Sequence, residues 1–309
     1  FIGVFGGYLL VHLGLLDMKP LLLVGLGLML SGWVAALIAL GRVLVAHRGR
    51  DMHAISCYCA LLIGACGLAA FAAFTLGAPW QFAQLAIKLG TFGLLLPIFF
   101  TVCHRMVPFF SASAIGTDYR PVRPVWSLPV VWTLLLAHLG LDAFHHQELL
   151  WLADLPLAAV FLYHSLAWQP WKCTRPGLLL VLHVAFAWLP VAFMLYTLQS
   201  LLAWLDYGVL PGRAPVHALT IGFFGSMLVA MVTRVTQGHS GRPLEMGAIP
   251  WLTFLLLQGV VAIRIFAEFA KDTPRWLVFA AIAWLVALLP WVVRSLWIFL
   301  TPRVDGRPG

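Results

Sequence analysis

Residues 214–244 read APVHALTIGFFGSMLVAMVTRVTQGHSGRPL, an apolar run with a histidine near its start and a polar, histidine-bearing loop at its end. The run is long enough for a helix to cross a bilayer. Ala218, Gly222, Ser226 and Ala230 recur every fourth residue, so on a helix they line one narrow groove. Something large lies in such a groove. Either a neighbouring helix packs there, the usual use of small residues at this spacing, or a flat cofactor held by histidine does.

The rest of the chain agrees with that first reading. Of 309 residues, 62% are hydrophobic and 10% charged, and mean hydropathy is +0.96, whereas a soluble domain carries about 25% charged residues. Apolar runs fall near 1–16, 20–45, 54–78, 83–104, 125–141, 148–167, 177–205, 214–235, 249–269 and 276–299. The predicted fold is therefore all-α, a polytopic bundle of about ten spans in one integral-membrane domain over 1–309. Phe1 opens inside an apolar run, so the first span reads as incomplete. Residues 104–124, rich in Arg, Pro and Ser, read as an ordered loop, and no fixed-period repeat is apparent. Prolines 97, 190 and 290 should kink their helices.

Charge gives orientation. Arg42, Arg48 and Arg50, then Arg105, Arg120 and Arg123, then Lys172 and Arg175, then Arg234 and Arg242, then Arg294, Arg303 and Arg307 fall on one side. The other side receives Lys19, Lys88, Arg213, Lys271 and Arg275. This bias places the first side, with the carboxyl end, in the cytoplasm, and it explains the net charge of +8 without a nucleic-acid partner. The lipid bilayer is the partner implied. Cysteines 57, 59, 66, 103 and 173 lack zinc or disulfide-exchange spacing and read as reduced core residues.

Eleven histidines are the informative excess, because an imidazole in hydrocarbon is costly unless it is paired or metal-bound. His104, His164, His183 and His239 fall near the cytoplasmic face; His12, His138, His145, His146 and His217 fall near the other; His47 and His53 flank a basic loop and read as solvated. His183 lies roughly 9 Å inside its span and His217 about 5 Å inside the opposite end, too far apart to share one iron. His217 and His239, about 22 residues apart, are separated by roughly 33 Å of helix. Arg234 and Arg242 bracket His239, where they can hold an anionic group or simply satisfy the charge bias. Arg264, inside the ninth span, requires Glu268 on the next turn, a carbonyl or water.

The run from Ala214 to Gly222, followed by Met231-Val-Thr-Arg-Val-Thr-Gln-Gly-His-Ser-Gly-Arg-Pro-Leu244, resembles the signature of the NnrS family. His104-Arg-Met-Val-Pro-Phe-Phe110 and the stretch from His183 to Trp188 agree with it. These are bacterial inner-membrane proteins of about twelve spans, described as haem- and copper-containing and linked to nitric oxide. The family's amino-terminal Trp-His-x-His-Glu-Met type motif is not in this sequence. The resemblance implies haem and copper as cofactors, with His183, His217 and His239 as leading ligands, His104 as a further one, and Thr233, Arg234 and Arg242 as second-layer or propionate partners. It also implies a role in nitric oxide response and resistance to nitrosative stress, by binding or converting nitric oxide or by limiting iron-nitrosyl formation, with an electron donor as a further partner. Two other classes stay open on the residues alone. One is a small-solute or metal transporter or channel; the other is a cytochrome b-like electron-transfer subunit.

Overall fold

The apolar runs become helices because a backbone in hydrocarbon has no partner but itself for its N–H and C=O groups. The computed structural model describes residues 2–46, 51–207 and 212–306; His47, Arg48, Arg50 and Arg307, read above from sequence, lie outside them. In chain order the helices are α1 (Ile2–Gly14), α2 (Lys19–Ala46), α3 (Met52–Thr75), α4 (Gln81–Asp118), α5 (Ser127–Ala143), α6 (Trp151–Ala167), α7 (Gly177–Trp204), α8 (Ala214–His239), α9 (Ala248–Ala267) and α10 (Thr273–Leu300). Among the described residues eight helices are long and apolar enough to cross a membrane, and α1 and α5 are shorter apolar helices at two of the expected spans. The fold is a polytopic helical bundle.

One boundary differs from expectation. Of the loop read over 104–124 only residues 119–124 are irregular, because α4 continues through Pro108 to Ile115 and ends in a short 3-10 turn, Gly116–Asp118. The reason is a buried stripe at helical spacing, His104, Val107 and Ser111, which packs although the opposite face carries Arg105. Pro108 cannot donate its backbone bond, but the Ser111 hydroxyl donates to the Val107 carbonyl at 2.9 Å, tying this part of the helix together.

Two compact units divide the chain, residues 1–105 with 125–145, and 106–124 with 146–309. In the first, α1 and α2 meet backbone to backbone. A Cβ on Gly7 would stand 2.6 Å from the Gly25 carbonyl oxygen and 2.7 Å from the Met29 nitrogen, so only glycine permits this approach. Trp33 donates to the Leu61 carbonyl at 2.9 Å and ties α2 to α3. Ser56 joins three helices, bonding Thr101 of α4 at 2.7 Å and accepting from Trp132 of α5 at 2.8 Å.

The second unit is held by polar clasps between apolar helices. Gln258 of α9 accepts from Trp188 of α7 at 2.6 Å and donates to Ser226 of α8 at 2.8 Å. Trp291 of α10 donates to Thr233 of α8 at 2.9 Å, and Thr253 of α9 to the Ala287 carbonyl of α10 at 2.8 Å. Each bond is worth about 1 kcal/mol in a bundle, and together they fix the helix register.

Two stretches depart from α-helical winding. Leu89–Leu95 in α4 and Ala218–Gly225 in α8 are π-helical, each directly after a polar residue, Lys88 or His217. Setting Leu89 against Ala218 also places Thr91 on Thr220, Gly93 on Gly222 and Arg105 on Arg234. The correspondence extends to the partners. Lys88 pairs with Asp142 at the end of α5 at 2.5 Å, and His217 with Arg264 near the end of α9 at 2.6 Å. Each unit thus carries a wide turn opened beside a polar pair, an arrangement that hydropathy alone does not disclose.

Candidate functional site

The groove of α8 comes first. Ala218, Gly222, Ser226 and Ala230 are all buried, and the large group on them is the indole of Trp188, whose ring carbon would lie 2.8 Å from a Cβ on Gly222. Of the two readings given above, the helix contact fills this groove.

His183 sits on the buried face of α7 and is 6% exposed. Its Nε2 lies 3.2 Å from the Ser111 hydroxyl. That hydroxyl has one proton, directed at the Val107 carbonyl, so Nε2–H is the donor and the lone pair of the ring is on Nδ1. Cys173 donates to the same hydroxyl at 3.6 Å, and Tyr119, Cys173 and Leu179 form the apolar cluster around it. Burial pushes the Cys173 thiol above its ordinary range, against smaller opposite pulls from the Ser111 hydroxyl and Lys172. Cys173 therefore stays a thiol and supplies no thiolate.

His217 is placed differently. Arg264 has only donors, so its Nη2 contact at 2.6 Å uses the Nε2 lone pair of His217. Glu268 stands 4.0 Å from the same nitrogen and accepts from the Arg213 backbone at 2.9 Å. His217 and Arg264 form the polar end of an open cavity of 410 Å³ whose other walls include Ile221, Val260 and Trp284. Arg264, for which Glu268, a carbonyl or water had been expected, thus finds His217.

His104 has a partner that its sequence neighbourhood does not indicate. His53, expected to be solvated, is half-buried, and its Nε2 lies 3.0 Å from His104 Nδ1. His53 Nδ1 is in turn 3.5 Å from Asp51, which also lies 3.6 Å from Arg105. A carboxylate and two imidazoles therefore form a chain leading from an exposed helix start to a buried histidine. Two histidines on different helices, α3 and α4, gave no local signal of this pairing.

Asp51 also caps α3, accepting from the His53 backbone at 2.9 Å and from Ala54 at 3.4 Å. Partial burial raises its carboxyl, but these two backbone donors and the charges of His53 and Arg105 outweigh it and hold the group below 3.8. A lowered carboxyl stabilises the fold above its unfolded value and loses that contribution as pH falls through the folded one. Asp51→Ala should cost about 1 kcal/mol near neutral pH and Asp51→Asn much less. Unfolding titrations in mixed micelles should show the Asp51→Ala deficit shrinking as the pH drops below the carboxylate range.

The remaining sequence candidates scatter. Thr233 is fully buried and its hydroxyl is the acceptor for Trp291. Arg234 lies over the Phe110 ring, 3.8 Å from its centroid, as a cation on an aromatic face. Arg242 follows the end of α8 with a buried Nη1 that has no hydrogen-bond partner among the described residues. His239 ends α8 exposed. Among the described residues no three His, Cys, Asp or Glu side chains gather closely enough to hold a metal ion. A metal ion needing three donors from this chain is therefore not matched there. His183 donates through one nitrogen and keeps its lone pair on the other, an arrangement that metal-bound histidines also use.

Neither a curated protein nor a solved structure matches the chain. The family model described as NnrS protein matches residues 1–303, and the chain belongs to the NnrS family.

Proposed function

We propose that this NnrS-family chain is a haem-dependent component of the bacterial nitric oxide response, acting in the inner membrane with its carboxyl end in the cytoplasm. The observation that supports this most is the state of His183, a buried imidazole oriented by Ser111 through Nε2, with the Nδ1 lone pair left for a ligand bond. Haem iron, when bound, supplies a coordination position for nitric oxide. His183 would hold the group through Nδ1, the Ser111 hydroxyl fixes the tautomer of that ring, and the surround is apolar, with the Trp168 and Phe186 rings packed at a tilt and their centroids 4.6 Å apart. His217 has no such role in this reading, since its lone pair is engaged by Arg264. Among the described residues no full set of copper ligands gathers, and the place of copper in this reading rests on the family resemblance.

The test compares two histidines in the purified full-length protein. His183→Ala should lower haem per protein to below a tenth of wild type, while His217→Ala should leave it within twofold. Nitric oxide should shift the Soret band of wild type and of His217→Ala. An unchanged Soret band and stoichiometry in His183→Ala would overturn the assignment.

A further inference from the structure

At one end of the second unit, five buried polar atoms have no hydrogen-bond partner among the described residues: Thr236 Oγ1, Gln237 Oε1, Arg242 Nη1, Arg294 Nη1 and Ser295 Oγ. The helix register explains why they gather. Trp291 of α10 bonds Thr233 of α8, and both helices enter this end as they run toward their carboxyl termini. One turn further, Thr236 and Gln237 on α8 lie level with Arg294 and Ser295 on α10. The chain turns after His239 and brings Arg242 back, within electrostatic range of Arg294.

Two like charges held together at a half-buried place are unfavourable unless an anion lies between them. Four of the five atoms belong to groups that donate, and Thr236 and Ser295 are 1% and 7% exposed. Two acidic residues lie near in the fold: Asp305 stands beside Gly241 and is held by Arg303 at 2.6 Å and 2.9 Å, and Glu245 accepts from Gln237 through its backbone carbonyl at 2.9 Å. Both guanidiniums are partly exposed and so remain reachable from the rim. That rim is apolar: Leu244, Val293 and Trp297 are exposed.

We propose that Arg242, Arg294, Ser295 and Thr236 form a receptor for one phosphate-type oxyanion. Donors converging from two helices and a loop match a tetrahedral group with several oxygens better than a carboxylate, which one guanidinium fork satisfies. The apolar rim suits the acyl chains of a phospholipid, and free inorganic phosphate offers the same headgroup chemistry. Gln237 Oε1, an acceptor, is not among the groups that would hold the anion. The inference is independent of haem and of His183.

The test uses the purified, delipidated full chain. Inorganic phosphate is titrated while unfolding is followed by tryptophan fluorescence, and lipid retention is read by native mass spectrometry after passage through nanodiscs of phosphatidylglycerol or of phosphatidylcholine. Wild type should gain thermal stability with phosphate or retain phosphatidylglycerol selectively; the first result assigns a free oxyanion, the second a lipid headgroup. Arg294→Gln and Ser295→Ala should each weaken that binding, Arg294→Gln at least tenfold, and Asp305→Asn should strengthen it. The exposed Arg42→Gln should change nothing. If Arg294→Gln does not fold, Arg294→Lys, which keeps the charge without the fork, should show intermediate binding. Wild type that binds neither probe, or Arg294 and Ser295 variants that bind both as wild type does, would overturn the proposal.

Discussion

Trp188→Ala is expected to destabilise the second unit by about 3–5 kcal/mol, among the largest losses available to a single substitution in this chain. The indole fills the groove over Gly222 and donates to Gln258, so its removal opens a cavity and strands a carbonyl oxygen in an apolar bundle. Trp188→Phe keeps much of the volume and loses the donor, and should cost about 1–2 kcal/mol. Gly222→Leu attacks the same contact from the other side by overpacking, at about 1–3 kcal/mol. Unfolding in mixed detergent micelles measures all three. A Trp188→Ala protein as stable as wild type would mean that the groove is filled by something other than this indole.

Lys88→Met is expected to cost about 3–5 kcal/mol, because it leaves the Asp142 carboxylate largely buried without its cation. The double variant Lys88→Met with Asp142→Leu should recover most of that loss, since apolar groups of similar size need no partner there. The same micelle assay reads the coupling as a double-mutant cycle. A double variant as unstable as the single would show that the pair also holds a third group, for which the neighbouring cavity of 540 Å³, lined by Gln81, Gln84 and His145, is the place to look.

The spans were legible because hydropathy is summed over many residues and tolerates local error; α7, expected over 177–205, ends at Trp204. The continuation of α4 past His104 was missed because Arg105 and Pro108 dominate a hydropathy count. Yet His104, Val107 and Ser111 already stood at helical spacing, and reading periodicity there would have found it. The small-residue stripe told correctly that something large lies on α8, but that it is Trp188 is a tertiary fact. The partners of His104, His217 and Lys88 come from other helices, and no spacing rule encodes them. For Arg264 the sequence offered Glu268 on its own helix, whereas the shortest contact is to His217 on another.

The expectation that the basic residues around His239 serve an anion divides in the structure. Arg234 is committed to an aromatic face, while Arg242 keeps a buried donor without a partner among the described residues and stands near Arg294, which by sequence counts only as a cytoplasmic charge.

The Lys88–Asp142 pair also bears on how the chain is made. A lysine entering the bilayer within α4 carries an insertion penalty of up to about 2.5–3.5 kcal/mol for as long as its charge is unmatched. Its counter-charge lies at the far end of α5, which emerges from the ribosome later. Helix α4 is therefore best retained beside the translocon until α5 follows, so that the two leave for lipid as a hairpin with the charge already neutralised.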